Sequence, residues 1–333
     1  MNALVINDRD NVAVALQDLT AGQEIVLSDR KVILCDDITR GHKFALDNIK
    51  AGEPIIKYGY SIGNAKVDIP QGSHIHSHNL KTALDGVKDY SFDKVEEAKL
   101  PHVERTFEGY VRSNGDVGIR NEIFIIPTVF CVNNIARVLE KYANDRIKEL
   151  NIDNVDGALA LTHPYGCSQM GEDQESTQRV LASLSKHGNC GGVLVLGLGC
   201  ENNNINVFKE YLDLDDDRIV FLNTQDSDDE IDDGYQLIDE LINKAAKCQR
   251  QSVPLSRLRI GLKCGGSDGL SGITANPLIG RLSDVVVGAG GTSVMTEVPE
   301  MFGAEQLLMN RAKDNATFEK CVNLINNFKN YFI

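Results

Sequence analysis

Val193-Leu-Val-Leu-Gly-Leu-Gly-Cys-Glu-Asn202 is an apolar run that breaks into a glycine-rich loop carrying a thiol and a carboxylate. Branched apolar residues bounded by glycines predict a strand over Val193–Leu198. The same alternation repeats outward in both directions. Upstream are a helical stretch at Val132–Leu150, a strand at Val155–Leu161 and a helix at Glu172–His187. Downstream follow a helix at Asn203–Leu212, a strand at Ile219–Leu222, a helix at Asp229–Gln249 and a strand at Arg259–Leu262. A helix at Thr274–Leu282 and a short strand at Asp284–Val287 complete the series. This order predicts βαβ units and a mostly parallel sheet with helices on both faces.

Ligands of such sheets sit beyond the carboxyl ends of the strands. Three loops fall there: Thr162-His-Pro-Tyr-Gly-Cys-Ser168, Gly197-Leu-Gly-Cys-Glu-Asn202, and the twelve-residue Gly261-Leu-Lys-Cys-Gly-Gly-Ser-Asp-Gly-Leu-Ser-Gly272. Each contains a cysteine: Cys167, Cys200 and Cys264. A buried structural thiol is the ordinary reading of any one of them. Three at one sheet edge point to a site.

Residues 1–80 differ in pattern. The form Leu/Ile-x-x-Gly recurs at Leu19–Gly22, Ile38–Gly41, Ile49–Gly52 and Ile69–Gly72, each time before a short apolar run. Turn glycines between short strands predict a compact β domain. Its last unit ends in Gly72-Ser-His-Ile-His-Ser-His-Asn79. In an extended strand alternate residues share a face, so His74, His76 and His78 would form a row of imidazoles suited to iron, manganese or zinc. An exposed polar strand end is the alternative. Residues 81–105 are charged and irregular and read as a linker. Phe107–Arg112 and Arg120–Phe130 read as strands about the turn Ser113-Asn-Gly-Asp116. The expected organisation is a β domain over 1–80, a linker over 81–105 and an α/β domain over 106–333.

Composition narrows the function. The 333 residues are 42% hydrophobic and 25% charged, an ordinary globular composition. A net charge of −14 argues against nucleic acid or an anionic membrane as partner. No run reaches the roughly 18 apolar residues of a membrane span, and no signal-peptide pattern opens the chain. The eight cysteines lack paired spacing and read as reduced thiols of a cytoplasmic protein. Gly197–Asn202 and Gly288-Ala-Gly-Gly-Thr-Ser293 both lack the third glycine of a dinucleotide fingerprint. A Gly-Lys-Ser/Thr phosphate loop and a Gly-x-Ser-x-Gly elbow are also absent. A small-molecule substrate is the expected partner, and a homo-oligomer is compatible with the sequence.

Gly109-Tyr-Val-Arg-Ser-Asn-Gly-Asp-Val-Gly-Ile-Arg-Asn121, Thr162-His-Pro-Tyr-Gly-Cys167 and Gly197–Asn202 occur in one order with Leu262-Lys-Cys-Gly-Gly-Ser-Asp268 and Thr296-Glu-Val-Pro299. Together they resemble the altronate/galactarate dehydratase family, which also holds sulfolactate sulfo-lyases. Residues 1–80 resemble its N-terminal SAF (β-clip) domain, including the His-x-His-x-His-Asn ending. The resemblance implies a hydro-lyase that takes water from a sugar acid to give a 2-keto-3-deoxy acid. D-altronate in hexuronate catabolism is the best-matching substrate, and galactarate is the alternative. It further implies ferrous iron, with manganese considered as a substitute. Family enzymes continue past the point where this sequence stops, so a truncated chain, or one that binds sugar acids without turnover, is a further expectation. The closing stretch reads as a helix with an apolar stripe of Phe318, Val322, Ile325, Phe328 and Phe332.

Dehydration needs a base, an anchor for the enolate and an acid for the leaving hydroxyl. His163, Lys263, Asp268 and Glu297 are the candidates for acid, base or metal ligand, although a structural role fits His163 nearly as well. Arg112, Arg120, Asn121 and Ser267 are candidates for holding substrate. His74, His76 and His78 are the first candidates for metal. Cys167, Cys200 and Cys264 are the alternative, as ligands of an iron–sulfur cluster with one open iron.

Overall fold

A computed structural model describes residues 2–27, 30–82, 86–96, 99–100, 102–263 and 269–332. The chain forms two compact units, one of Glu104–Leu258 and one combining Met1–Val103 with Arg259–Ile333. Compact packing thus divides the expected 106–333 segment after residue 258.

The first of these units is built on strands β1 (Glu122–Pro127), β2 (Gly157–Ala160), β3 (Cys190–Gly197) and β4 (Ile219–Asn223). All pair in parallel, in the order β2-β1-β3-β4. Helices α1 (Asn133–Glu149), α2 (Gly171–Ser185), α3 (Ile205–Phe208) and α4 (Glu230–Ala245) make the connections. Successive side chains of a strand face opposite ways. Ile123 and Ile125 of β1 accordingly join Leu139, Ile238 and Leu241 of α1 and α4 in one core layer. Phe124 and Ile126 join Leu181 and Phe208 of α2 and α3 in the other. Both central strands are buried along their whole length, so the apolar runs in sequence follow from burial on two faces. The helix expected over Asn203–Leu212 is shorter, because Asn204 caps it by accepting from the backbone of Asn206 and Val207. The strand expected over Arg120–Phe130 is confined to β1. A second, antiparallel sheet pairs Thr106–Val111 with Val117–Gly118 and with Gln251–Pro254.

The β part of the other unit turns the internal repeat into structure. Leu19 bridges Ile38, and Ile49 bridges Ile69. The four repeat glycines have φ of +81°, +82°, +86° and +84°, a region where a Cβ is disfavoured. At Gly72 a Cβ would also stand 2.0 Å from the carbonyl oxygen of Ile33. A four-stranded antiparallel sheet runs Ala3–Leu4, Val12–Ala15, Lys43–Ala45, His74–Ile75.

In the same unit, β5 (Arg259–Leu262) and β6 (Thr292–Met295) pair in parallel across helix α5 (Ala275–Gly288). The strand expected at Asp284–Val287 is the last turn of α5, a correction to the local reading. The β-branched Val285–Val287 run favours a strand in isolation. Val286 is instead buried as a helical residue, and the helix closes when Gly290 and Gly291 donate to Val287 and Val286. Helices α6 (Glu305–Met309) and α7 (Asn315–Phe332) follow. Phe318 and Ile325 of the expected stripe are buried, whereas Phe332 is exposed.

Part of the expected linker is docked here. Phe92 stacks 5.0 Å from Phe318, and Val95 donates to the backbone oxygen of Asn310. Tyr90 joins the buried pair Lys329–Glu305, whose Nζ and Oε1 lie 2.7 Å apart. The apolar rings within this charged stretch supply the reason. No helix among the described residues is long and apolar enough to cross a membrane.

Candidate active-site residues at the carboxyl ends of the strands

The chain leaves β1 for β2 on one side and returns to β3 on the other. The carboxyl ends of β1 and β3 therefore flank the switch point where open α/β sheets bind ligands. There Glu201 is buried, only 3% exposed. Its carboxylate accepts from the Thr128 hydroxyl at 2.6 Å and from the backbone of Leu198 and Gly199 at 3.0 and 2.6 Å. Asn203 donates to the Thr128 carbonyl and accepts from Gln178. Gly199 has φ +124°, and a Cβ on it would meet Gln225 and Asn223 oxygens at 2.8 and 2.9 Å. The loop after β3 is thus held by a buried carboxylate and requires glycine. Thr128, Glu201 and Asn203 were not singled out by sequence reasoning; the signal was the acid two residues after Gly199 in a loop already suspected.

Cys167 and Cys200 are both exposed at this edge. Asn202 donates to the carbonyl of Cys167 at 2.9 Å and ties the two loops together. His163 also lies here, but both ring nitrogens are engaged with backbone. Nε2 donates to the Pro127 carbonyl at 3.0 Å, and Nδ1 accepts from the Tyr165 N–H at 3.2 Å. The ring thus clamps the 162–168 loop to the end of β1.

Arg112, Arg120 and Asn121 are at the opposite end of the sheet. Arg112 is 5% exposed and donates to the carbonyls of Gly188 and Arg120 and to Asn121 Oδ1. Asn121 donates to the carbonyls of Asn154 and Ala245, while Arg120 pairs with Glu122 at 2.6 Å. Burial, its largest influence, holds the Arg112 guanidinium below the usual arginine range. A six-residue strand is about 20 Å long, so these groups are a strand length from the Glu201 loop. Arg112 and Asn121 spend their donors on the amino ends of β1, β2 and β3, whereas the Arg120 guanidinium is half exposed.

In the other unit, Lys263 follows β5 and Glu297 follows β6. Lys263 Nζ donates to Glu297 Oε1 at 2.8 Å. Both groups are accessible, at 67% and 38% exposure. Thr296 secures the loop by donating its N–H and hydroxyl to the Leu262 carbonyl. Glu297 has φ +63° and ψ +78°, a left-handed conformation that costs a non-glycine residue roughly 1–2 kcal/mol. Such strain is found where a side chain must be aimed. Asp268, Ser267 and Cys264 lie outside the described residues.

The histidines are brought together differently from expectation. The strand ends at Ile75 and the chain turns, with Asn79 Oδ1 accepting the His76 N–H. The extended row is therefore replaced by a turn, which nevertheless gathers the rings. His74 lies 5.7 Å from His76 and 5.6 Å from His78 between centroids. His42 joins them at 5.1 Å from His74 and 5.2 Å from His76, because the strand that follows it, Lys43–Ala45, pairs with His74–Ile75. His42 Nδ1 and His74 Nε2 are 2.9 Å apart. Burial first, and then the neighbouring imidazoles, push His74 below its ordinary 6.5. Among the described residues no three or more His, Cys, Asp or Glu side chains are arranged to enclose an ion.

Comparison with known families matches most of the chain in three parts. Residues 1–83 match the altronate/galactarate dehydratase SAF domain. Residues 109–246 match the D-galactarate dehydratase/altronate hydrolase second domain, and 255–333 the D-galactarate/altronate dehydratase C-terminal domain. The chain is 48% identical to altronate dehydratase of Escherichia coli K12, covering 100% of this chain and 67% of that protein. It is 49% identical to altronate dehydratase of Bacillus subtilis 168, covering 98% and 66%. Galactarate dehydratase (L-threo-forming) of E. coli is 32% identical, covering 98% and 65%. The chain spans about two thirds of the length of these relatives. With its SAF domain, α/β domain and C-terminal motifs matched in order, it belongs to the altronate/galactarate dehydratase family.

Proposed function

We propose that this chain is a cytoplasmic hydro-lyase that converts D-altronate to 2-keto-3-deoxy-D-gluconate in the breakdown of hexuronates such as galacturonate. The observation that carries the reading is identity of 48% and 49% with two altronate dehydratases along essentially the whole chain. Identity with galactarate dehydratase is 32%, which makes galactarate the second substrate to test.

The reaction takes a proton from C2, beside the carboxylate, and expels the C3 hydroxyl as water. The resulting enol tautomerises to the keto acid. One proton is removed and one delivered, with no change of overall oxidation state and no co-reactant. Lys263 and Glu297 provide an amine and a carboxylate in hydrogen-bond contact. One can take the C2 proton while the other supplies the proton to the leaving oxygen.

Ferrous iron, or manganese in its place, is the metal we assign. His42 Nδ1 and His74 Nε2, 2.9 Å apart, have the separation of adjacent ligands on an ion with bonds of about 2.1 Å. These two would hold it, with His76 and His78 as further donors from the same turn. A bound ion of this kind would supply a Lewis acid to offset the negative charge that develops as the C2 proton leaves. An iron–sulfur cluster is the alternative, with Cys167 and Cys200 as candidate ligands on two loops that Asn202 ties together.

The test is to incubate anaerobically purified protein with ferrous iron and D-altronate, with galactarate in parallel, and to measure the keto-deoxy acid formed. Faster turnover of altronate is expected. Faster turnover of galactarate would transfer the assignment, and binding of both without product would favour a sugar-acid binding protein.

A further inference from the structure

We propose that the cavity at the carboxyl ends of β3 and β4 binds the polyhydroxy chain of a sugar acid, with the Lys209 ammonium taking its carboxylate. The inference rests on the sugar-acid reading above and adds a location and a set of contacts. The cavity holds about 480 Å³, within the range of roughly 300–1,000 Å³ typical of small-molecule sites. Its wall includes Lys209, Phe221, Asn223, Asp226, Ser227 and Asp233. It opens beside Gly199, in the loop that Glu201 anchors, and so occupies the end of the sheet where such folds bind ligands.

The chemistry of the wall matches a polyol that carries one negative charge. Lys209 is half-buried, with its Nζ held 4.5 Å from the Phe221 ring centroid. Among the described residues no carboxylate forms an ion pair with it. Asp226 accepts from the Asn223 amide at 2.5 Å, and Asp233 accepts from the Ser227 hydroxyl at 2.5 Å. Each thus uses one carboxylate oxygen internally, and both residues are exposed to a ligand hydroxyl. Two carboxylates beside one ammonium would reject phosphate or sulfate, whose charge is denser and which bring few donors. A sugar acid supplies both halves, hydroxyl donors for the aspartates and a carboxylate for the lysine. Arg112 and Asn121, expected to help do this, are buried and committed at the other end of the sheet.

The experiment is calorimetric titration of the full chain with D-altronate, with its neutral reduction product altritol, and with propionate. Altronate should bind at least about tenfold more tightly than either, because each comparison compound lacks one half of the recognition. Lys209→Met should weaken altronate by roughly tenfold or more while leaving altritol unchanged, and Lys209→Arg should restore most of the affinity. An unchanged thermal melt of each variant shows that the fold is intact. Undiminished altronate binding by Lys209→Met would overturn the proposal and leave the dehydratase reading standing with its substrate elsewhere. Failure of the parent chain to bind or convert any sugar acid would overturn both.

Discussion

Lys263 Nζ and Glu297 Oε1 meet at 2.8 Å although the residues are 34 positions apart. They meet because β5 and β6 run parallel with Leu262 opposite Met295, so the next residues of both strands emerge at one edge. The pair is accessible and its glutamate is held in a left-handed conformation. An exposed ion pair contributes about 0–1 kcal/mol to stability. Stability alone therefore gives little reason for aiming Glu297 this way.

Lys263→Met and Glu297→Gln should each lower turnover of D-altronate by roughly 10²–10⁴, the usual contribution of a positioned acid or base. Urea denaturation should change by less than about 1 kcal/mol in either variant. A large loss of stability with turnover retained would make the pair structural.

Iron content tests the histidine cluster. Protein prepared anaerobically with ferrous iron should retain metal, and His42→Ala and His74→Ala should each lose most of it when assayed by elemental analysis. Loss of even one ligand commonly costs far more than the 10–100-fold assigned to outer-shell partners. Retained iron accompanied by acid-labile sulfide would move the site to the cysteines.

The buried pair Lys329–Glu305 should control the stability of the α6–α7 region. Lys329→Met leaves the Glu305 carboxylate without its cation and should cost about 3–5 kcal/mol in denaturant unfolding. The pH dependence follows from the carboxylate. Burial pushes Glu305 up, but its bonds from Lys329 and Tyr90 outweigh this and hold it below its ordinary 4.5. The pair's contribution is therefore full above pH 4.5 and is lost as the pH falls through the lower folded value. Unfolding curves across this interval should show the decline, and Glu305→Gln should flatten it.

Two repeat glycines with almost the same φ should respond differently to alanine. Gly22→Ala meets open space and should cost only the roughly 1–2 kcal/mol of the left-handed backbone. Gly72→Ala places its Cβ 2.0 Å from the Ile33 oxygen and should destabilise the β region well beyond that. Equal losses in urea unfolding would refute the distinction.

At the switch point, Thr128→Val removes the 2.6 Å hydroxyl donor to the buried Glu201 carboxylate. A cost of about 1–3 kcal/mol is expected in urea unfolding, the penalty for a buried acceptor deprived of a partner.

Much of the architecture was legible because burial writes a local signal. The central strands of the α/β unit are apolar at every position that two covered faces demand, and the β region repeats its turn glycines. The reading at Asp284–Val287 failed because a β-branched triplet has a local preference that the packing of Val286 overrides.

Residue types and loop positions in the sequence determined which side chains are candidates for the chemistry: the histidines near residue 76, the cysteine loops, Lys263 and Glu297. Tertiary structure decided which of them meet. Strand pairing added His42 to His74, and parallel register joined Lys263 to Glu297. The direction of β1 put Arg112 and Asn121 at the amino end of the sheet, where their hydrogen bonds are consumed. A motif shows which donors and acceptors are present. Their distances depend on the pairing of segments far apart in the chain, and only the folded molecule specifies that.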